Sequence, residues 1–172
     1  MKNIILTTVA IALSFSVFGW GQIGHRAIGK IAENHLTESA RKNIKAIMGH
    51  ESLAESSTWM DEVRSDSKYD FAKTWHYVTI PDGSDYESAE HEETGDVFEA
   101  IGRMKDILKN ANSTKEQQLE AIRMLTHLVG DMHQPLHVGN GEDRGGNNVK
   151  VKWFYDDSNL HRIWDSGMID QK

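Results

Sequence analysis

From Ile4 to Phe18 the chain is apolar, broken only by Thr7, Thr8, Ser14 and Ser16. Beyond Trp20 the pattern changes to helical spacing: from about Ile23 to His35, apolar residues fall at Ala27, Ile28, Ile31 and Ala32, and then at Leu36. Thr37 has the chemistry of an N-cap for a helix to about Met48, stopped by Gly49. Another helix is predicted from Ser52 to Arg64. The stretch WHYVTIPDG is β-branched and aromatic and ends in turn residues, so it reads as a short extended segment. The acidic DGSDYESAEHEETGD reads as a solvated loop. Residues 96–111 predict a helix, and Ser113 or Thr114 caps a longer one running through Met132 and ended by Pro135. GNGEDRGGNNVKVKWF reads as a loop followed by a short strand or hairpin, and NLHRIWDSGMI returns to helical spacing. There is no internal repeat, low-complexity tract or clear linker. The fold class expected is mainly α, a single helical domain with a short β-hairpin.

The first apolar run changes meaning once its flanks are considered. Lys2 precedes it, and Val17 and Gly19 place small residues three and one positions before a cut at Gly19/Trp20. The run is short for a membrane span, which needs about 20 residues. Residues 1–19 are therefore expected to be a signal peptide, with an uncleaved anchor as the alternative, and the product to be periplasmic or secreted without stable membrane association. Cleavage would leave 153 residues, enough for one domain with a core. Export permits disulfides, yet this chain has no cysteine, so stability must come from packing or from metal. The formal charge of −7 becomes −8 without Lys2. Nucleic-acid binders usually carry basic patches, but three divalent cations would bring the total near −2. Charge therefore excludes nucleic acid only if no metal is bound.

Candidate chemistry concentrates in four places. In THLVGDMHQPLH, His127 and Asp131 stand four apart and share a helix face, half of a plausible zinc site, with His137 beyond the proline. In HRIWD, His161 and Asp165 repeat that spacing. Asp61 lies in the apolar-flanked WMDEVR, and His76 sits between bulky residues in WHYV. Each alone has an ordinary explanation: a packed histidine for His76, a surface ion pair for a His-x-x-x-Asp. Taken together, and without cysteine, they suit nitrogen and oxygen ligation of zinc, and three ions would want roughly nine protein donors at about four ligands each. His35, His50 and His91 stand in polar contexts and read as surface residues, and His133 falls off the ligand face.

In order, WGQIGHR, WMDEVR, WHYV, LTHLVGDMHQPLHVGNGEDRGGN and NLHRIWD resemble the single-strand-specific, trinuclear-zinc nucleases of the S1/P1 type, over residues 20 to 165. The resemblance implies the helical fold shared by phospholipase C and these nucleases. It also implies that Trp20, as the first residue of the mature protein, binds zinc through its free amine and carbonyl oxygen together with His25. A peptide nitrogen is a poor ligand, so cleavage would complete the site. By the same resemblance Asp61, His76, His127 and Asp131 hold a second zinc, Asp131 bridges the two ions, and His137, His161 and Asp165 hold a third. A zinc-activated water would attack phosphorus, Arg64 would meet the phosphate, Tyr77 would stack a base and Asn147 would lie near the site. The implied substrates are single-stranded DNA or RNA, giving 5′-phosphorylated products, and 3′-nucleotides. Tyr77 as a core tyrosine and Asn147 as part of a Gly-rich turn remain open.

Two departures stand out. Some eukaryotic members carry aspartate three residues after the His76 equivalent, where this chain has Thr79, so pH optimum and base preference do not carry over. Lys172 closely follows the last proposed ligand, where family members continue with further helices, so a domain incomplete at its C-terminus is expected. The rival readings are a zinc-dependent phospholipase C, which usually has Glu at the Asp165 position, and a non-catalytic exported zinc-binding protein.

Overall fold

A computed structural model describes residues 20–170; the segment read as a signal peptide lies outside the described residues. The described chain is mainly helical with short strands, as expected. Helix α1 spans Gln22–His35 and α2 spans Glu38–Met48. Thr37 caps α2 by accepting from Ala40 N–H, and Gly49 ends it at φ 70°, a backbone region that favours glycine. Helix α5 (Val97–Lys109) and α6 (Lys115–Met132) pack together as a helical hairpin. Thr114 and Gln117 cap α6 reciprocally, leaving fewer orphan N–H groups at its start.

The single helix predicted over Ser52–Arg64 is instead two short ones, α3 (Leu53–Ser56) and α4 (Trp59–Glu62). Ser52 and Glu55 form a capping box that starts α3. At its end the Ser57 hydroxyl bonds Ala54 O and the Thr58 hydroxyl bonds Glu55 O and Glu62. Such side-chain bonds compete with continued helix.

Helix α1 also buries a face that the apolar pattern does not mark. Ile23 and Ile31 are 54% and 57% exposed, and Ala27 is exposed too, whereas Gly24, His25 and Gly29 are buried. The cause is the close crossing of α1 over α3: a Cβ on Gly29 would stand 2.5 Å from Leu53 O. Backbone proximity, not side-chain hydrophobicity, decides which way this helix faces.

The main core lies between α5, α6 and the 59–78 segment, with Met60, Trp75, Val97, Ala100, Met104, Met124 and Leu128 buried together. A smaller cluster joins Met48, Leu53 and Ile122 under α2. Strand β1 (Val78–Thr79) pairs in parallel with β2 (Val138–Gly139), and β3 (Lys150–Trp153) forms an antiparallel hairpin with β4 (Asp156–Asn159). Asn159 caps α7 (Leu160–Arg162), which runs through a π-helical turn (Ile163–Gly167) into α8 (Met168–Asp170). The β1–β2 pairing sets His76 beside His137, and α6 brings His127 and Asp131 beneath both.

The acidic segment 82–96 is not simply solvated. Asp96 is buried at its end, caps α5 through Phe98 and Glu99 N–H, and accepts from the Tyr86 hydroxyl. His91 bonds Asp96 at 2.8 Å and Tyr86 O at 2.9 Å. Both partners are acceptors, so this histidine must donate from both nitrogens to satisfy them. Asp96 correspondingly raises its pKa. His91 is exposed, as expected, and at the same time clasps the loop.

Candidate metal centre

Asp131 is fully buried on α6 and forms the hub of the site. Its Oδ2 lies 2.9 Å from His76 Nδ1 and 3.0 Å from His127 Nε2. Its Oδ1 faces the other way, 3.4 Å from His25 Nε2 and 3.5 Å from His137 Nδ1. Asp61, from α4, comes within 3.8 Å of His127 Nε2. On the far side His161 Nε2 stands 3.0 Å from Asp165 Oδ2, the four-residue spacing realised across the π-helical turn.

Three groups of side chains offer ligand atoms within 4.8 Å of one another: His25, His127 and Asp131; Asp61, His76 and His127; His137, His161 and Asp165. The last trio coincides with the set expected for a third ion. The first two share His127; Asp131 falls in the first group, with its Oδ2 also 2.9 Å from His76 of the second. His133 lies outside all three, and its Nδ1 is held by Val129 O. Trp20 is partly buried with its indole over Gly24, and Gly21 N–H donates to Asp165 O at 2.7 Å. The start of the described chain is thereby tied beside the site.

The donor set fits a metal on its own chemistry. Nδ1 of His127, His137 and His161 each faces a backbone carbonyl, Ser57 O at 2.7 Å, His76 O at 2.6 Å and Gly145 O at 2.7 Å. A carbonyl only accepts, so each Nδ1 carries the proton and each Nε2 is turned inward, the usual arrangement of ligating histidine. Both nitrogens of His25, Oδ1 of Asp61 and of Asp131, and Nε2 of His137 are buried without a hydrogen bond. Each such group costs about 1–3 kcal/mol if nothing compensates it, and cations held among the three groups would compensate the carboxylate oxygens, His137 Nε2 and one nitrogen of His25, since a neutral imidazole ligates through a single nitrogen. Burial lowers the pKa of His25 and His137, favouring the neutral, ligating form. Burial also opposes charge on His127, but the Asp131 carboxylate outweighs it and pushes that pKa up to about 9. The reciprocal attraction of His127 holds the Asp131 carboxyl well below the usual range despite its burial.

Several groups that hold this geometry are not marked by their residue type. Ser57 contributes a carbonyl made available by the break between α3 and α4. Gly145 contributes the carbonyl that orients His161, in a run where Arg144, Gly145 and Gly146 all have positive φ. A Cβ on Gly145 would meet Leu136 O at 2.4 Å, so the loop needs glycine there. Gly130 lies between His127 and Asp131 on α6 and lets His25 close against the helix. The RGGN motif is a legible signal for the second of these. The Ser57 carbonyl has no sequence signature.

Above the histidines opens a cleft of about 490 Å³, with His76, His137 and His161 on its floor. Arg64, Tyr77 and Asn147 line it, as do Lys73 and Arg144. Tyr77 is 37% exposed rather than a core tyrosine. Asn147 does take part in the Gly-rich turn, donating to Arg144 O at 3.0 Å, and lines the cleft as well.

A mostly helical scaffold thus gathers three His/Asp groups that could hold metal ions beneath and beside a cleft lined by Arg64, Lys73 and Arg144 together with Glu92. The match to a known family agrees: the S1/P1 nuclease family model covers residues 20–172, and the chain belongs to that family. It is 32% identical to endonuclease 2 of Arabidopsis thaliana, over 96% of this chain and 61% of that protein. It is 31% identical to nuclease S1 of Aspergillus oryzae, over 96% of this chain and 60% of the relative. With nuclease P1 of Penicillium citrinum it shares 30% identity over 87% and 58% respectively. The chain thus spans somewhat over half the length of these curated relatives.

Proposed function

We propose that this chain is a zinc-dependent, single-strand-specific nuclease that hydrolyses phosphodiester bonds of DNA and RNA to 5′-phosphorylated products and also removes 3′-phosphates from nucleotides. The observation that carries the reading is the buried Asp131 hub, whose two carboxylate oxygens face different histidines, His76 and His137 among them at the floor of the cleft.

Three zinc ions are assigned to three sets of residues. Trp20, through its amine and carbonyl, would hold one with His25 and Asp131. Asp61, His76 and His127 would hold the second with Asp131 shared, and His137, His161 and Asp165 the third. Bound zinc supplies positive charge for phosphoryl oxygens and acidifies water near neutral pH. The protein's own residues do the rest. Asp131 keeps the first two sets in register. Arg64 presents a planar, permanently charged fork from the cleft wall, matched to phosphoryl oxygens as their charge grows. Tyr77 offers an aromatic face in the same cleft, which a base can cover only after leaving its duplex stack; this is the source of the single-strand preference. Asn147 lies where its amide can meet a base edge.

The protein is proposed to act after export, in the periplasm or outside the cell, because only cleavage before Trp20 frees the amine. No described helix is long and apolar enough to cross a membrane. The test is elemental analysis of exported protein whose mass shows Trp20 as its first residue, followed by assays on single-stranded DNA, RNA and 3′-nucleotides. About three zincs per chain with cleavage is expected, and Arg64→Ala should keep the zinc and lose cleavage. Zinc-loaded protein that cleaves no nucleic acid or nucleotide, or that cleaves lecithin instead, would overturn the assignment.

A further inference from the structure

Gln134 is fully buried in the HQPLH turn, and both ends of its side chain are engaged. Its Oε1 accepts Leu136 N–H at 2.5 Å, which fixes the amide orientation, because a backbone N–H can only donate. Nε2 must then be the end that donates to Asp165 Oδ1, at 2.5 Å and 31 residues further along the chain. The backbone of the same residue joins the two sides of the centre: Gln134 N–H donates to Asp131 O at 2.9 Å, and Gln134 O accepts from His137 N–H at 3.0 Å.

We infer that Gln134 is the positioning residue for the His137/His161/Asp165 zinc site, locking Asp165 so that Oδ1 is satisfied by the amide and Oδ2 alone is presented beside His161. This rests on the zinc reading above. The physical need is plain. Asp165 is buried, and a carboxylate free to rotate would present either oxygen and leave the other without a donor. Ligands held by such outer partners typically lose 10–100-fold in metal affinity when the partner is removed.

The experiment compares Gln134→Leu and Gln134→Glu with wild type by zinc content and competitive chelator titration, with circular dichroism confirming the fold. Glutamate keeps an oxygen for Leu136 N–H and, when ionised, has no proton to donate to Asp165, so affinities are read above the pH at which the two carboxyls share a proton. If Gln134 only ties the turn, Gln134→Glu should bind zinc as wild type does. If it positions Asp165, both variants should weaken one ion about 10–100-fold while retaining the others. Adding Gln134→Leu to Asp165→Asn should then cost no further zinc affinity, because the two changes act on one ligand. Wild-type affinity in Gln134→Glu, or additive losses in the double variant, overturns the inference alone. A wild-type protein lacking the third ion overturns the zinc reading and the inference with it. Should Gln134→Leu fail to fold, the glutamate variant and its own double with Asp165→Asn decide the matter.

Discussion

Gly130→Ala separates helix stability from metal geometry, because the two effects have opposite signs at that position. Within α6, alanine is the better helix former by about 0.8–1.0 kcal/mol. The added Cβ, however, would stand 2.8 Å from His25 Nδ1 and 3.2 Å from its Cε1, where ordinary contact begins at 3.4 Å. His25 has little room to yield, since its ring stacks on His127 with centroids 3.9 Å apart and is fully buried. The imidazole must therefore shift by about 0.6 Å, which changes its alignment with the carboxylate oxygen now 3.4 Å from its Nε2. Chelated Gly130→Ala protein should unfold in urea within about 1 kcal/mol of wild type, helix propensity offsetting the repacking. Zinc affinity should fall about 10–100-fold, and cleavage by up to about 100-fold, the scale of a 1 Å misplacement. The assay is competition against a chromophoric chelator, paired with urea unfolding of the metal-free form. A folded Gly130→Ala protein that binds zinc with wild-type stoichiometry and affinity would refute the claim that glycine is required for His25 to reach the site.

The remaining expectations concern stability. Leu128, fully buried between α5 and α6 one residue from His127, should cost about 2–5 kcal/mol as Leu128→Ala, read from the urea midpoint; a loss under 1 kcal/mol would contradict the core assignment. With no cysteine to form a disulfide, metal removal should lower the melting temperature strongly, each ion contributing about 2.7 kcal/mol when free zinc is 100-fold above its Kd; an unchanged curve after confirmed zinc loss would count against this. The His91–Asp96 clasp raises the His91 pKa above 6.5, so its stabilisation is complete below that value and fades as pH rises through the raised one. An NMR titration placing the His91 midpoint at or below 6.5 would show that the clasp does not hold in solution.

Some of this protein was readable from local pattern alone. The Thr37 and Thr114 caps, the Gly49 stop, the end of α6 before Pro135 and the β3–β4 hairpin all depend on chemistry within a few residues. The same holds for the shared helix face of His127 and Asp131, since a four-residue spacing fixes direction once the helix is granted. The ordered motifs, recognised as a family resemblance, pointed to which distant His and Asp residues come together, which periodicity could not. Tertiary structure decided the rest. Ala27 and Ile31 belonged to the predicted apolar stripe, yet both are exposed, and α1 turns Gly24, His25 and Gly29 inward because it crosses α3 at backbone distance. A helix predicted through Ser57 breaks there, and the carbonyl at the break orients His127. His91 is at the surface as expected, but its bond to Asp96 at the start of α5 is one that spacing does not show. Gln134 has no pattern that separates it from any polar turn residue until Asp165 arrives from the far end of the chain. Backbone carbonyls and close approaches carry no residue code, so what they orient becomes visible only when the chain is folded.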